Sequence, residues 1–340
     1  MSGATARAAR RRFLLAAALG APALLGAAGA AAAPKRRIHM VTWRGASEVE
    51  RGFVDYWKRQ PEQVEFVWQD AAQSHARLAA IGDDIVRGQP DLVFSWGTPA
   101  TLGLAGPADR PHPVIGRRIP LVFAPSADPL AANIVAALRG HGRNISGVCH
   151  VAPLATQIEV MRAYRAIGGV GILYNRLEAN SVANLAAWRR AGSQGGFKVL
   201  ASSFPLDRRG AAAPLAPQEL GAVLDGMREG GANWLYLGPD THLFTQLDAV
   251  AEAARQRALP TFAAVESLLG GGAPVLLGLV SKFYQVGQFA AHKAQRMLRG
   301  EQEVPIDTLQ RFSLIVNLAV AEAIDAYPPM GLIDYAEFRR

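Results

Sequence analysis

Short apolar runs recur along the chain, separated by amphipathic stretches. Eleven of them read as strands: residues 37–43, 64–69, 91–96, 119–124, 144–150, 169–175, 197–204, 233–238, 259–265, 274–280 and 311–317. Most are near-continuous in apolar residues rather than alternating, which is how strands covered by helices on both faces read. The intervening segments have helical spacing. Leu78, Ile81 and Ile85 recur at i, i+3, i+7, and Leu154, Ile158 and Met161 at i, i+4, i+7. Val286, Phe289, Ala290 and Ala294 form a third stripe, with Gln285, Gln288, His292 and Gln295 pointing away from it. Strand–helix alternation of this kind predicts parallel sheets with right-handed crossovers. About five strands fall on either side of residue 150, so the expected fold is α/β, two doubly wound lobes. No low-complexity linker divides them, and several short crossings are expected to join them. The expected bounds are 34–150 plus about 281–305 for the first lobe, and 151–280 plus about 306–340 for the second.

The first 33 residues stand outside this pattern. Arg7, Arg10, Arg11 and Arg12 precede an apolar middle and a tail of small residues, the three-part pattern of an export signal. Arg10-Arg11-Arg12-Phe13-Leu14 also fits the twin-arginine form, with a general-secretory signal as the alternative. The segment is diluted by Gly and Ala, and nothing later approaches the ~20 unbroken apolar residues of a membrane span. A periplasmic location with the signal removed is therefore expected.

This changes the charge reading. The whole chain carries +8, of which the four signal arginines supply four with no acid among them, leaving +4 beyond residue 33. The remaining basic residues are interleaved with acids, whereas nucleic-acid binding needs a clustered basic face. Cys149 is the one cysteine, so no internal disulfide, thiolate cluster or CxxC redox motif is available, and in its apolar setting it reads as a buried, inert thiol.

In open parallel sheets ligands bind beyond the carboxyl ends of the strands. The third run is followed by Gly97 and Thr98, the fourth by Ser126 and Asp128, the sixth by Asn175, Glu178, Asn180 and Ser181, the eighth by Asp240 and the ninth by Glu266. Each of these also reads as turn or cap chemistry; Asp128, Ser181 and Asp240 are well placed to cap helices. Five strand ends in two lobes nonetheless carry hydroxyls, amides or carboxylates, and facing lobes would bring them to one cleft. Hydroxyls and helix N–H groups suit a carboxylate, while Asp and Glu suit an ammonium. Trp43, Trp96, Phe123 and Tyr174 flank these groups and could supply an apolar wall.

Enzyme signatures are missing from the sequence. Neither a G-x-S-x-G nor a G-x-x-x-x-G-K-[ST] occurs, and the seven histidines, at 39, 75, 112, 141, 150, 242 and 292, have no metal-site spacing. No cofactor, metal or catalytic residue is expected.

The stretches 43–53, 91–103, 119–129, 144–148, 171–181, 238–240 and 314–317 together resemble the ABC-transporter substrate-binding protein family that includes tryptophan and tyrosine binders. The likeness runs in order over nearly the whole chain beyond the signal. It departs at Lys282, where the family carries an acid, after Asp128, where a glycine would stand, and at Trp96. The resemblance implies a type I periplasmic binding fold with a three-stranded hinge. It also implies ligand contacts from Thr98, Ser126, Asp128, Asn175, Glu178, Asn180, Ser181, Asp240 and Glu266. The expected protein is a monomer that closes on a small amino-acid-like or carboxylate ligand and delivers it to a membrane permease, without catalysis. Two alternatives stay open: an exported enzyme with Asp128, Asp240 or Glu266 as acid or base, and a ligand sensor that reports to a receptor.

Overall fold

The computed structural model describes residues 35–269 and 272–339; the expected export signal lies outside them. Among these residues thirteen strands form two sheets. In chain order the first five are β1 (Arg36–Thr42), β2 (Val64–Asp70), β3 (Leu92–Ser95), β4 (Leu121–Ser126) and β5 (Ile145–Cys149). The next five are β6 (Gly169–Tyr174), β7 (Lys198–Ser203), β8 (Trp234–Leu237), β9 (Thr261–Ala263) and β10 (Leu277–Val280). β11 (Ile306–Thr308), β12 (Ser313–Asn317) and β13 (Ala336–Arg339) follow. The first sheet runs β11-β5-β4-β3-β1-β2 with every neighbouring pair parallel. The second runs β13-β12-β10-β9-β8-β6-β7 and is parallel except between β10 and β12.

Among the described residues eleven α-helices accompany these sheets: α1 (Glu48–Trp57), α2 (His75–Gly88), α3 (Gly97–Ala105), α4 (Leu154–Tyr164), α5 (Ala179–Gly195), α6 (Pro217–Glu229), α7 (Thr241–Thr245), α8 (Leu247–Gln256), α9 (Phe283–Leu298), α10 (Leu318–Ala323) and α11 (Met330–Ile333). All eleven predicted strands are present, and the apolar stripes fall where periodicity puts them: Leu78, Ile81 and Ile85 are buried in α2. Each sheet has its own apolar core. Among the described residues no helix is long and apolar enough to cross a membrane.

Two details depart from expectation. Gln295 does not point to water. It is buried at the seam between α9 and α1, accepting from Tyr56 Oη at 2.7 Å and donating to Glu62 at 3.0 Å. And β11, in a segment assigned by sequence to the second lobe, pairs with β5 of the first sheet. Lys293 explains the attachment. Its side chain, wholly enclosed in α9, donates to the Pro305 carbonyl and to Asp307, each at 2.6 Å. A buried ammonium without those acceptors would be costly, so β11 and the residue before it are held down to α9.

The chain crosses between the sheets after β5, after β10 and after β11. Val151 and Val280 bridge the first two crossings, and Leu309 N–H donates to the Cys149 carbonyl at the third, 3.0 Å away.

Candidate functional site

A cavity lies between the lobes, beyond the carboxyl ends of β3, β4, β6, β8 and β9. The first-lobe wall is built where β3 turns into α3. Gly97 sits at φ +78°, a backbone region that costs an L side chain energy, and this permits the sharp turn. Trp96 occupies the cap position but contributes no side-chain acceptor, so α3 opens toward the cavity uncapped. Such a helix end presents free N–H groups and partial positive charge. Trp96 is itself held by Ser47, whose Oγ accepts from its Nε1 at 3.1 Å. Thr98 is buried behind it, its hydroxyl 3.4 Å from that of Ser126.

Arg44, two residues past the end of β1, completes this wall. Its guanidinium lies over the Trp96 ring at 4.9 Å and over the Phe244 ring of the second lobe at 4.0 Å. Nη1 is buried and has no hydrogen-bond partner among the described residues. Burial lowers the guanidinium's pKa, with Glu178 and Glu50 as the nearby opposing charges. A guanidinium remains charged under these conditions.

The second-lobe wall grows from the turn after β6. Asp240 caps α7 by accepting from Leu243 N–H at 2.8 Å, while its other oxygen accepts from Asn175 N–H at 2.7 Å and Ser181 Oγ at 2.6 Å. Asn175 spends its own side-chain oxygen on Leu177 N–H, 3.0 Å away. These three residues knot the turn to α5 and α7. The surplus faces the cavity. Glu178 accepts from the N–H and hydroxyl of Thr241 at 2.8 and 2.9 Å, and burial followed by the Asp240 charge pushes its carboxyl upward. Asn180 donates to the Pro239 carbonyl at 2.6 Å, leaving its buried Oδ1 without a partner.

The structure thus brings Thr98, Glu178, Asn180, Asp240 and Trp96 together on one cavity. The other sequence-predicted residues lie elsewhere. Ser126 is behind Thr98, and its carbonyl takes the Nδ1 hydrogen of His150 at 2.9 Å. Asp128 is exposed and caps the following turn through Leu130 and Ala131 N–H. Glu266 accepts from Phe283 N–H and so caps α9, lining a second pocket that shares Arg44, Trp96 and Phe283 with the cavity. Trp43 is buried against His75, and Tyr174 packs half-buried on the second-lobe core. Phe123 is fully enclosed in the first-lobe core, where a Cβ on Gly147 would lie 2.4 Å from its ring.

Sequence reasoning missed Arg44 and Phe283 as wall residues, and noted His150 near a strand end without including it in the site. Arg44 obeys the strand-end rule but stands alone there, without the cluster that drew attention to residues 175–181. His150 and Phe283 also follow strand ends, β5 and β10, where the chain crosses between the lobes, but neither carries the hydroxyl, amide or carboxylate that marked the other positions. Burial holds His150 down to about 4, and its ring stands edge-on to Phe283 at 5.6 Å, so it is a neutral wall group at neutral pH. Among the described residues no cluster of His, Cys, Asp or Glu could hold a metal ion.

Two doubly wound lobes on a three-crossing hinge, with a polar cavity at the strand ends, define the type I periplasmic binding fold. Solved structures share it at low identity. A conserved domain protein from Vibrio cholerae O1 biovar El Tor superposes with a TM-score of 0.75 at 19% identity, covering 90% of this chain and 100% of its own. The ABC domain in complex with L-Trp from Streptococcus pneumoniae gives 0.74 at 18%, covering 90% and 99%. A ligand-free, open substrate-binding protein with adhesive properties from Clostridium difficile gives 0.67 at 20%, also covering 90% and 99%. No curated protein matches. The chain belongs to the ABC transporter substrate binding protein family, whose pattern matches residues 49–337.

Proposed function

We propose that this substrate-binding protein serves an ABC importer: exported by its first 33 residues, it closes on a small amino-acid-like or carboxylate solute and hands it to a membrane permease. The observation that carries this reading is the cavity itself, lined from both lobes by groups with unspent hydrogen-bonding capacity. A ligand touching both walls binds the closed arrangement better than the open one and shifts the population toward it. Thr98 and the α3 N-terminus supply donors from the first lobe. Glu178 and Asn180 supply acceptors from the second, held in place by the Asn175–Ser181–Asp240 knot. The relative solved with L-Trp supports the amino-acid class. The protein acts as a monomer, with residues 34–150 and 151–280 forming the main part of the two lobes.

Native mass spectrometry of freshly purified protein, followed by a thermal-shift screen of amino acids and carboxylates, tests the reading. A bound solute that raises the melting point unchanged is the expected result, with affinity about micromolar or better. Asn180→Ala and Thr98→Ala should each weaken binding about tenfold without altering the fold. Turnover of the solute, or no shift with any compound, would sink the proposal. Replacing Arg10 and Arg11 by Lys should leave the protein in the cytoplasm if export follows the twin-arginine route; unimpaired export would assign the general-secretory one.

A further inference from the structure

We infer that Arg44 is the receptor for a negative charge on the ligand, so that a free carboxylate is required, and that this residue sets the specificity of the cleft. The inference rests on the solute-binding reading above and goes beyond it by naming the residue and the charge. Three observations lead to it. First, a buried N–H without a hydrogen-bonding acceptor is costly, and Nη1 of the half-buried Arg44 is in that state at the cavity wall. Second, Arg44 lies over Trp96, the residue from which the uncapped α3 begins, so two positive features meet at one end of the cavity. Third, on the second-lobe wall Asn180 is only 7% exposed and its Oδ1 is unpartnered, which calls for a hydrogen donor on the ligand.

The carboxylates near Arg44 do not satisfy it. Glu50 gives one oxygen to Ser47 and Glu178 gives both to Thr241. Neither is hydrogen-bonded to the guanidinium, and burial pushes both toward the neutral form. A ligand carboxylate seated under Arg44 would gain its planar fork and the α3 N–H groups together. An ammonium or amide N–H on the same ligand would reach Asn180 and Glu178. The class that fits is an α-amino acid with its carboxylate free. Because Arg44 also touches Phe244 of the other lobe, the anion would bind where the lobes meet.

The test is titration calorimetry of the full chain with the common L-amino acids, their C-terminal carboxamides, and glucose and ribose as uncharged solutes. For the natural protein the best amino acid should bind roughly a hundredfold tighter than its carboxamide. In Arg44→Gln that ratio should fall by about tenfold or more, with Arg44→Lys intermediate because it keeps charge but loses the fork. Phe244→Ala should weaken acid and amide alike and keep the ratio. A ratio unchanged in Arg44→Gln would overturn the inference while leaving the binder reading intact, because a residue that only closes the cleft affects both ligands equally. Binding of an uncharged solute alone would do the same. If nothing binds the natural protein, both fall. Circular dichroism and melting of each variant separate these outcomes from misfolding, and an Arg44→Gln that fails to fold leaves Arg44→Lys to decide.

Discussion

Glu50 is wholly buried yet keeps only one oxygen engaged, accepting from Ser47 N–H and Oγ at 2.7 Å each; the other has no partner. Desolvation pushes its carboxyl up to about 7, above the ordinary value of 4.5. A group raised on folding stabilises the fold while protonated. That contribution is present below the unfolded value and is lost as pH climbs through about 7. Glu50→Gln keeps the capping acceptor and removes the charge. It should therefore gain up to about 3 kcal/mol over the natural chain at about pH 8 and almost nothing at about pH 4.5. Urea melts at both values check this; an equal offset at the two would refute it. Burial likewise pushes the Cys149 thiol up to about 12, so a thiol reagent at neutral pH should label it only in denaturant. The residue types of the site were legible as a polar surplus after strands. Their division of labour was not. Asp240 and Asn175 lie far apart in sequence, and only the fold decides that they satisfy each other while Glu178 and Asn180 face the cavity.

At the level of elements, the seam between α1 and α9 is the tightest contact in the first lobe. A Cβ on Gly287 would stand 1.8 Å from the Val49 carbonyl oxygen, and one on Gly52 would stand 2.0 Å from that of Tyr284. Backbone meets backbone there, with no flexible side chain to move aside. Gly287→Ala should cost about 3 kcal/mol or more by forcing the helices apart. Gly226→Ala in α6, where nothing lies within 4 Å, should be neutral or stabilise by up to about 1 kcal/mol. Denaturant melts of the pair measure the contrast, and similar losses at both sites would argue against the seam. Periodicity revealed every strand that owns an apolar run. It missed β11, with one buried residue among its three, and β13, an edge strand with no residue fully buried. Both exist because a neighbour offers hydrogen bonds, which leaves no hydrophobic trace in the segment itself.

On the scale of the whole molecule, the alternation of strands and helices made two lobes readable, and the absence of a linker made several crossings readable. The place of the third crossing was not, because it follows from Lys293 holding the chain around β11. Short crossings bridged by few hydrogen bonds suit a hinge that turns two rigid lobes. Adding a saturating solute should reduce the radius of gyration in small-angle scattering, and Phe244→Ala should require more solute to reach the same compaction. An unchanged scattering curve on binding would exclude hinge closure.

The same crossings impose an order on biosynthesis. The first lobe is begun first, but α9 and β11, which complete it, leave the ribosome only after β10 of the second lobe. The second lobe in turn waits for β12 and β13 near the end of the chain. A chain stopped at residue 281 would hold two unfinished halves: one lacking the helix that covers the Gly52 face, the other lacking the strands beyond β10. Neither lobe can serve as a finished template for the other. The nascent protein must keep both open at once and settle them together, with the last sixty residues acting as the fastener.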